Sequence, residues 1–290
     1  MSARTAVLVV VAIAASGIAG SAPASARFAI PSFTWIETGP AGGTIWQGVI
    51  QNSAYPRDRR ESLVYLPPGI SWGNAYPTIY LLHGFRGSPY SFLDGLRFAF
   101  YADRAIADRL VQPFLAVMPV AGLTPRYQGE WTGPWENFVV DDVVPWADEH
   151  LPTSPLAQDR AIAGLSAGGY GAVDIGLRHT DLFGTIEAWS GYFDAPRDGR
   201  LRHASVSNLA AHDPTVLVER EAKLLRRLGT RFFLSCGAQD RGSLGDSVRF
   251  ARLLSRLGLS HRAYFIPGVH SNWFWQAQLT SALRYAFPSA

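Results

Sequence analysis

The sequence is poor in cysteine, methionine and lysine. Its 290 residues contain one Cys and two Met, and Lys223 is the only lysine among 26 basic residues. A lone cysteine excludes an internal disulfide. Cys236 ends the run Phe232-Phe233-Leu234-Ser235 and reads as a small buried hydrophobe. No cysteine near the amino terminus is available for lipid attachment. Charge of one sign is also lacking: the formal net charge is +3, and no arginine run is longer than the pairs Arg59-Arg60 and Arg226-Arg227. Nucleic-acid binding therefore has no electrostatic support, and the arginine bias reads as GC-rich coding. Repeats and low-complexity linkers are absent. Only one long apolar run exists, Ala6 to Gly20, after a short positive start at Arg4 and before the Ala24-Ser25-Ala26 pattern. That arrangement predicts a secretory signal over residues 1–26. The run falls short of the ~20 residues a spanning helix needs. The expectation is a secreted (extracellular or cell-envelope) chain over 27–290, with one domain and no stable membrane span.

What remains is a globular composition, 48% hydrophobic and 12% aromatic. From Gly43 to Pro67 the chain reads as an antiparallel opening. Strand-length apolar runs follow at Thr78–Leu82, Phe114–Val120, Ala161–Gly164, Thr185–Trp189, Arg231–Cys236 and Arg262–Ile266. Helical spacing lies among them: Phe250, Leu253, Leu254 and Leu257 share one face, as do Trp275, Leu279 and Leu283. Alternating strands and helices predict an α/β fold, a mostly parallel sheet with helices on both faces. Ligand sites in such sheets lie beyond the carboxyl ends of the strands, so residues just after strands deserve the closest reading.

Gly164-Leu165-Ser166-Ala167-Gly168 is a G-x-S-x-G motif between an apolar run and a helical segment, Ala167 to Arg178. A nucleophile held on a strained strand-to-helix turn needs small neighbours, and Gly164, Gly168 and Gly169 supply them. His83-Gly84-Phe85 follows the run Thr78–Leu82. A turn of this type supplies one oxyanion-hole N–H, here assigned to Phe85, with Ala167 supplying the second. His83 itself reads as shaping that loop. Asp240, after the run Arg231–Cys236, is the candidate acid; Asp246, at a helix start, is explained by the helix dipole alone. His270, after the last strand, is the candidate general base. The order Ser166, Asp240, His270 is one of the known chain orders of such a triad.

From Trp46 to Phe287 the chain resembles the esterase-D-like group of α/β hydrolases, which includes feruloyl esterases and secreted mycolyltransferases. The matching pieces are Leu81–Phe85, Trp135-Glu136-Asn137-Phe138 with Val144-Pro145-Trp146, Gly164–Gly169, Gly237–Asp240, and Pro267–His270 with Trp273 and Trp275. The resemblance implies a serine esterase of the α/β-hydrolase fold working by two-step acyl transfer, with no metal or organic cofactor. Its substrate would be a small-molecule or cell-envelope ester. Trp135–Phe138 is closest to the mycolyltransferase pattern. His83, however, stands where those transferases carry an acidic sugar-contacting residue, which favours hydrolysis. The alternatives are an acyltransferase using an alcohol acceptor and a catalytically silent secreted binding protein on the same fold. Trp131, Trp135 and Trp273 are expected to line the substrate pocket, Trp275 to pack in the core, and the polar segment Gly191 to Asp213 to loop over the site.

Overall fold

In the computed structural model the described residues are 30–121, 131–194 and 205–289. The signal expected over 1–26 lies outside them, as does part of the segment expected over the site. Nine strands form one sheet: β1 (Phe33–Thr38), β2 (Thr44–Gly48), β3 (Ser62–Leu66), β4 (Thr78–Leu82), β5 (Leu115–Met118), β6 (Arg160–Leu165), β7 (Thr185–Trp189), β8 (Arg231–Gly237) and β9 (Ser260–Ile266). The helices are α1 (Phe98–Ala107), α2 (Pro134–Asn137), α3 (Val144–His150), α4 (Ala167–Arg178), α5 (Val206–Ala210), α6 (Pro214–Leu228), α7 (Leu244–Arg256) and α8 (Asn272–Ala286).

The strand order is β1-β2-β3-β5-β4-β6-β7-β8-β9. The contacts β1–β2, β2–β3 and β3–β5 are antiparallel, and every contact from β5 onward is parallel. Parallel strands need crossovers, and the crossover helices cover both faces. That explains why β4 and the body of β6 read as apolar runs, and why β7, whose Glu187 is the exception in composition, is still buried throughout: all the residues of these strands are buried. On one face, Tyr80, Leu82, Ile162, Ile186 and Phe232 pack with Val173 and Leu177 of α4, Leu217 and Leu225 of α6, and Phe250 and Leu254 of α7. On the other, Ile79, Leu81, Ala163 and Phe233 pack with Ala99 and Ala102 of α1 and with Trp275, Leu279 and Leu283 of α8. Each fully buried Leu or Phe contributes about 1.5–3 kcal/mol.

The expected strands are present, with ends moved by a few residues. β1 is an addition to the expectation: it is the edge strand, and its Trp35 and Ile36 stay exposed. α6 is another addition. It starts on Asp213, whose carboxylate caps the N–H groups of Thr215 and Val216, and stops at Gly229, where φ is +70°. α7 ends at Arg256, so Leu257 caps it and does not extend it. Among the described residues no helix is long and apolar enough to cross a membrane.

Candidate active site

Four loops meet at the carboxyl ends of β4, β6, β8 and β9. Ser166 joins β6 to α4 with φ +57° and ψ −120°, a conformation that costs a non-glycine residue about 1–3 kcal/mol. The surroundings hold it there. Its N–H donates to the Trp189 carbonyl at 2.8 Å, and its own carbonyl accepts from Gly169 N–H at 2.8 Å. A Cβ on Gly168 would stand 1.9 Å from the Leu82 carbonyl oxygen, and one on Gly164 would stand 2.2 Å from the Gly168 oxygen. The turn is this tight only because both positions lack a side chain.

His270 Nε2 lies 2.9 Å from Ser166 Oγ, and His270 Nδ1 lies 2.7 Å from Asp240 Oδ2. The histidine side chain is 40% exposed, whereas that of Asp240 is 3% exposed. Asp240 Oδ1 accepts the Ser243 N–H at 3.2 Å. The carboxylate is therefore fixed from both ends, which sets the imidazole with its proton on Nδ1 and its lone pair on Nε2. Asp246, the other acid considered, pairs with Arg249 one turn along α7.

Features that sequence reasoning did not assign steady His270. The Trp275 indole meets the His270 ring edge-on, at 4.9 Å and 83°, and donates its own N–H to Ser190 Oγ at 3.1 Å. The loops after β8 and β9 are tied by Ala238 N–H to the Ile266 carbonyl (2.8 Å), Gln239 N–H to the Gly268 carbonyl (2.9 Å), and Gly268 N–H to Gln239 Oε1 (2.7 Å). Cys236 sits beneath them with Sγ 3.7 Å from Asp240 Oδ2. Burial, then the Asp240 charge, pushes its thiol up to about 11, so it is not a thiolate at neutral pH.

His83 is completely buried, and burial pushes its pKa down to about 4. Its Nδ1–H donates to the Gly84 carbonyl at 2.9 Å, and its Nε2 accepts the Ala121 N–H at 3.1 Å. Gly87 N–H also donates to the Gly84 carbonyl, at 2.9 Å. In a trans peptide the N–H points opposite to the preceding C=O, so this double anchor fixes the direction of Phe85 N–H. Gly84 lies against the Ser166 turn: a Cβ there would be 3.0 Å from Leu165 Cδ1 and 3.3 Å from Ser166 Cβ. Ala167 opens α4, where backbone N–H groups have no intrahelical partner.

The three tryptophans expected to line a substrate pocket separate. Trp131 corrects that expectation: it is wholly buried, donates its indole N–H to the His83 carbonyl at 3.0 Å, and fills the space left by Gly171. Trp135 walls a cavity of about 490 Å³ with Tyr55, which stacks on it at 5.0 Å, and Arg60. That cavity includes neither Ser166 nor His270 in its lining. Trp273 is 82% exposed in the first turn of α8, three residues beyond His270. Trp275 is buried, as expected of a core position. A separate cavity of about 610 Å³ opens directly beside His270, Asp240, Arg241 and Tyr192.

For a metal ion, the described residues offer one group: Glu136, Asp174 and His212 place ligand atoms within 4.8 Å of one another. Most of their polar atoms are already engaged, whereas Asp174 Oδ1 has no hydrogen-bond partner among the described residues. Glu136 accepts from Arg178 and His179, and Asp174 pairs with His212 at 2.9 Å.

A family model described as "Putative esterase" (the Esterase family) matches residues 53–286. Esterase Rv1288 of Mycobacterium tuberculosis (strain H37Rv) is 28% identical over 236 residues, covering 68% of this chain and 49% of that protein. The chain thus spans about half the length of that relative. Among solved structures, a ferulic acid esterase superposes with a TM-score of 0.74 at 21% identity, over 84% of this chain and 97% of that one. The Staphylococcus aureus fluorophosphonate-binding serine hydrolase FphF superposes with a TM-score of 0.69 at 20% identity, over 88% of this chain and 98% of that one. At these identities the structural likeness establishes the α/β-hydrolase fold.

Proposed function

The chain belongs to the Esterase family, and from that premise we propose that it is a secreted serine hydrolase that cleaves carboxylic esters through an acyl-enzyme on Ser166. The observation that carries this reading is the unbroken hydrogen-bond chain from Ser166 Oγ through His270 to the buried Asp240, set on a backbone turn that only a crowded strand-to-helix junction sustains.

His270 Nε2 takes the Ser166 proton as Oγ attacks the ester carbonyl. Asp240 holds the tautomer and offsets the charge of the imidazolium. The N–H groups of Phe85 and Ala167 receive the developing oxyanion, and a single such donor supplies about 3–4 kcal/mol in other serine hydrolases. His270 then gives its proton to the departing alkoxide. In the second half, His270 takes a proton from water as the water attacks the acyl carbonyl, then gives that proton to Ser166 Oγ as the acyl–Oγ bond breaks, releasing the acid and free Ser166. An alcohol in place of water would make the same site an acyltransferase. The burial of His83 supports water: with no exposed surface, it offers nothing to a sugar acceptor.

The test is Ser166→Ala together with labelling by a fluorophosphonate. Wild type should label and hydrolyse p-nitrophenyl esters, and the folded variant should do neither. Hydrolysis by a folded Ser166→Ala protein at near wild-type rate would remove Ser166 from the mechanism. Running the ester panel with sugar alcohols present separates hydrolysis from transfer.

A further inference from the structure

We propose that the cavity beside His270 is a subsite for an anionic group on the substrate, with Arg241 as its recognition residue. The proposal rests on the hydrolase reading above and adds a substrate class to it: esters carrying a carboxylate, sulfate or phosphate near the scissile bond.

The cavity holds about 610 Å³ and has His270 and Asp240, though not Ser166, in its wall, so a group bound there lies beside the His270–Asp240 pair, with His270 Nε2 2.9 Å from Ser166 Oγ. Its polar wall presents donors. Arg241 is exposed and makes no ion pair or hydrogen bond among the described residues. Gln239 spends its Oε1 on the Gly268 N–H, which forces its amide NH2 to the other side as a pure donor. Asp240 is the acid in the wall, and both its oxygens are occupied, by His270 and by the Ser243 N–H. It also sits at 3% exposure, beneath the surface an anion would touch. The acids nearby are drawn elsewhere: Asp246 and Asp194 both lie against Arg249. Val269 adds an exposed apolar edge at the rim. A guanidinium without a carboxylate partner, next to a donor amide and one residue from the proposed catalytic acid, matches the fork geometry by which Arg binds carboxylate and phosphate.

The anchoring of this wall favours a preorganised subsite. Gln239 and Asp240 are held by the hydrogen bonds that join the β8 and β9 loops, and Ser243 N–H continues the tie on the far side of Arg241. The backbone under Arg241 is fixed, and only its side chain must order on binding.

The experiment compares mono-p-nitrophenyl glutarate, which carries a free carboxylate on the acyl group, with p-nitrophenyl valerate, and 4-acetoxybenzoate with phenyl acetate. In Arg241→Gln the ratio of kcat/KM for the anionic over the neutral ester should fall about tenfold in at least one pair, the loss expected for one charge-assisted contact. Arg241→Lys should recover part of the ratio, and raising the salt should lower it in wild type. Ratios equal to wild type in both pairs would overturn the subsite. Calorimetric binding of the same esters to Ser166→Ala protein, with and without Arg241→Gln, reads the subsite independently of turnover. Absence of wild-type turnover defeats the hydrolase reading, whereas equal binding of the anionic esters by both Ser166→Ala proteins defeats the subsite.

Discussion

Glu187 lies in the middle of β7, between Ala163 of β6 and Phe233 of β8. It is completely buried. Its Oε2 accepts the Trp189 indole N–H at 3.1 Å, and its Oε1 has no partner among the described residues. Burial is the largest influence on its carboxyl, which is pushed up to about 8 against the opposing pull of Trp189 and Arg231. In the unfolded chain the same group ionises near 4.5. Between these values the unfolded state releases a proton that the folded state keeps, so stability is full below pH 4.5 and is lost as pH rises toward 8. The interval corresponds to about 4–5 kcal/mol when fully developed. Glu187→Gln keeps the shape and the acceptor for Trp189 but cannot ionise. Relative to wild type, the variant should therefore gain about 3 kcal/mol more in urea unfolding at pH 8 than at pH 5, a midpoint rise of several degrees in a thermal melt. Esterase activity at neutral pH should persist, because Ser166 is anchored by the carbonyl of Trp189 and not by its indole. A stability difference between the two proteins that is the same at both pH values would refute the assignment of a buried neutral carboxyl.

The acid of the proposed triad is separable from its neighbour: Asp240→Asn should lower kcat by orders of magnitude with KM little changed, since tautomer control is lost while the pocket is kept. Asp246→Asn should cost only the local pairing with Arg249, and the reverse ranking in steady-state kinetics would reassign the acid. The exported protein should begin at Arg27, as N-terminal sequencing or intact mass would read; a retained leader would point to an anchor instead.

The α/β class was legible because buried parallel strands leave unbroken apolar runs between Gly, Pro and polar breaks. β4 and the Ala161–Leu165 part of β6 are such runs, and β7 is one apart from Glu187. β1 escaped because an exposed edge strand has no such run to read, and Trp35 and Ile36 face solvent. The proximity of Ser166, Asp240 and His270 followed from one rule, that each comes just after a parallel strand. What supports the base was not legible. The Gln239–Gly268 tie and the Trp275–His270 contact join residues whose pairing depends on the register of β8 against β9. Trp131 was misplaced at the pocket wall for a related reason. Whether an indole faces a ligand or the core depends on partners far away in sequence, and Trp131 is buried because Gly171 on α4 leaves room for it.

The sheet places the two halves of the site in regions of unequal mechanical security. Ser166 rises from β6, flanked by β4 and β7 near the centre. Asp240 and His270 rise from β8 and β9 at the rim, joined to each other by three loop hydrogen bonds and separated from β6 by the whole width of β7. β9 is the outermost strand, and most of its residues are at least partly exposed. Local opening of such an edge costs less than opening the centre. In such an opening Asp240 and His270 would move as a bonded pair, and the contacts that part would be the 2.9 Å link from His270 to Ser166 and the edge-on contact of His270 with Trp275. If Ser166, Asp240 and His270 work as proposed, activity should be lost before the core unfolds, at denaturant concentrations that loosen only the rim.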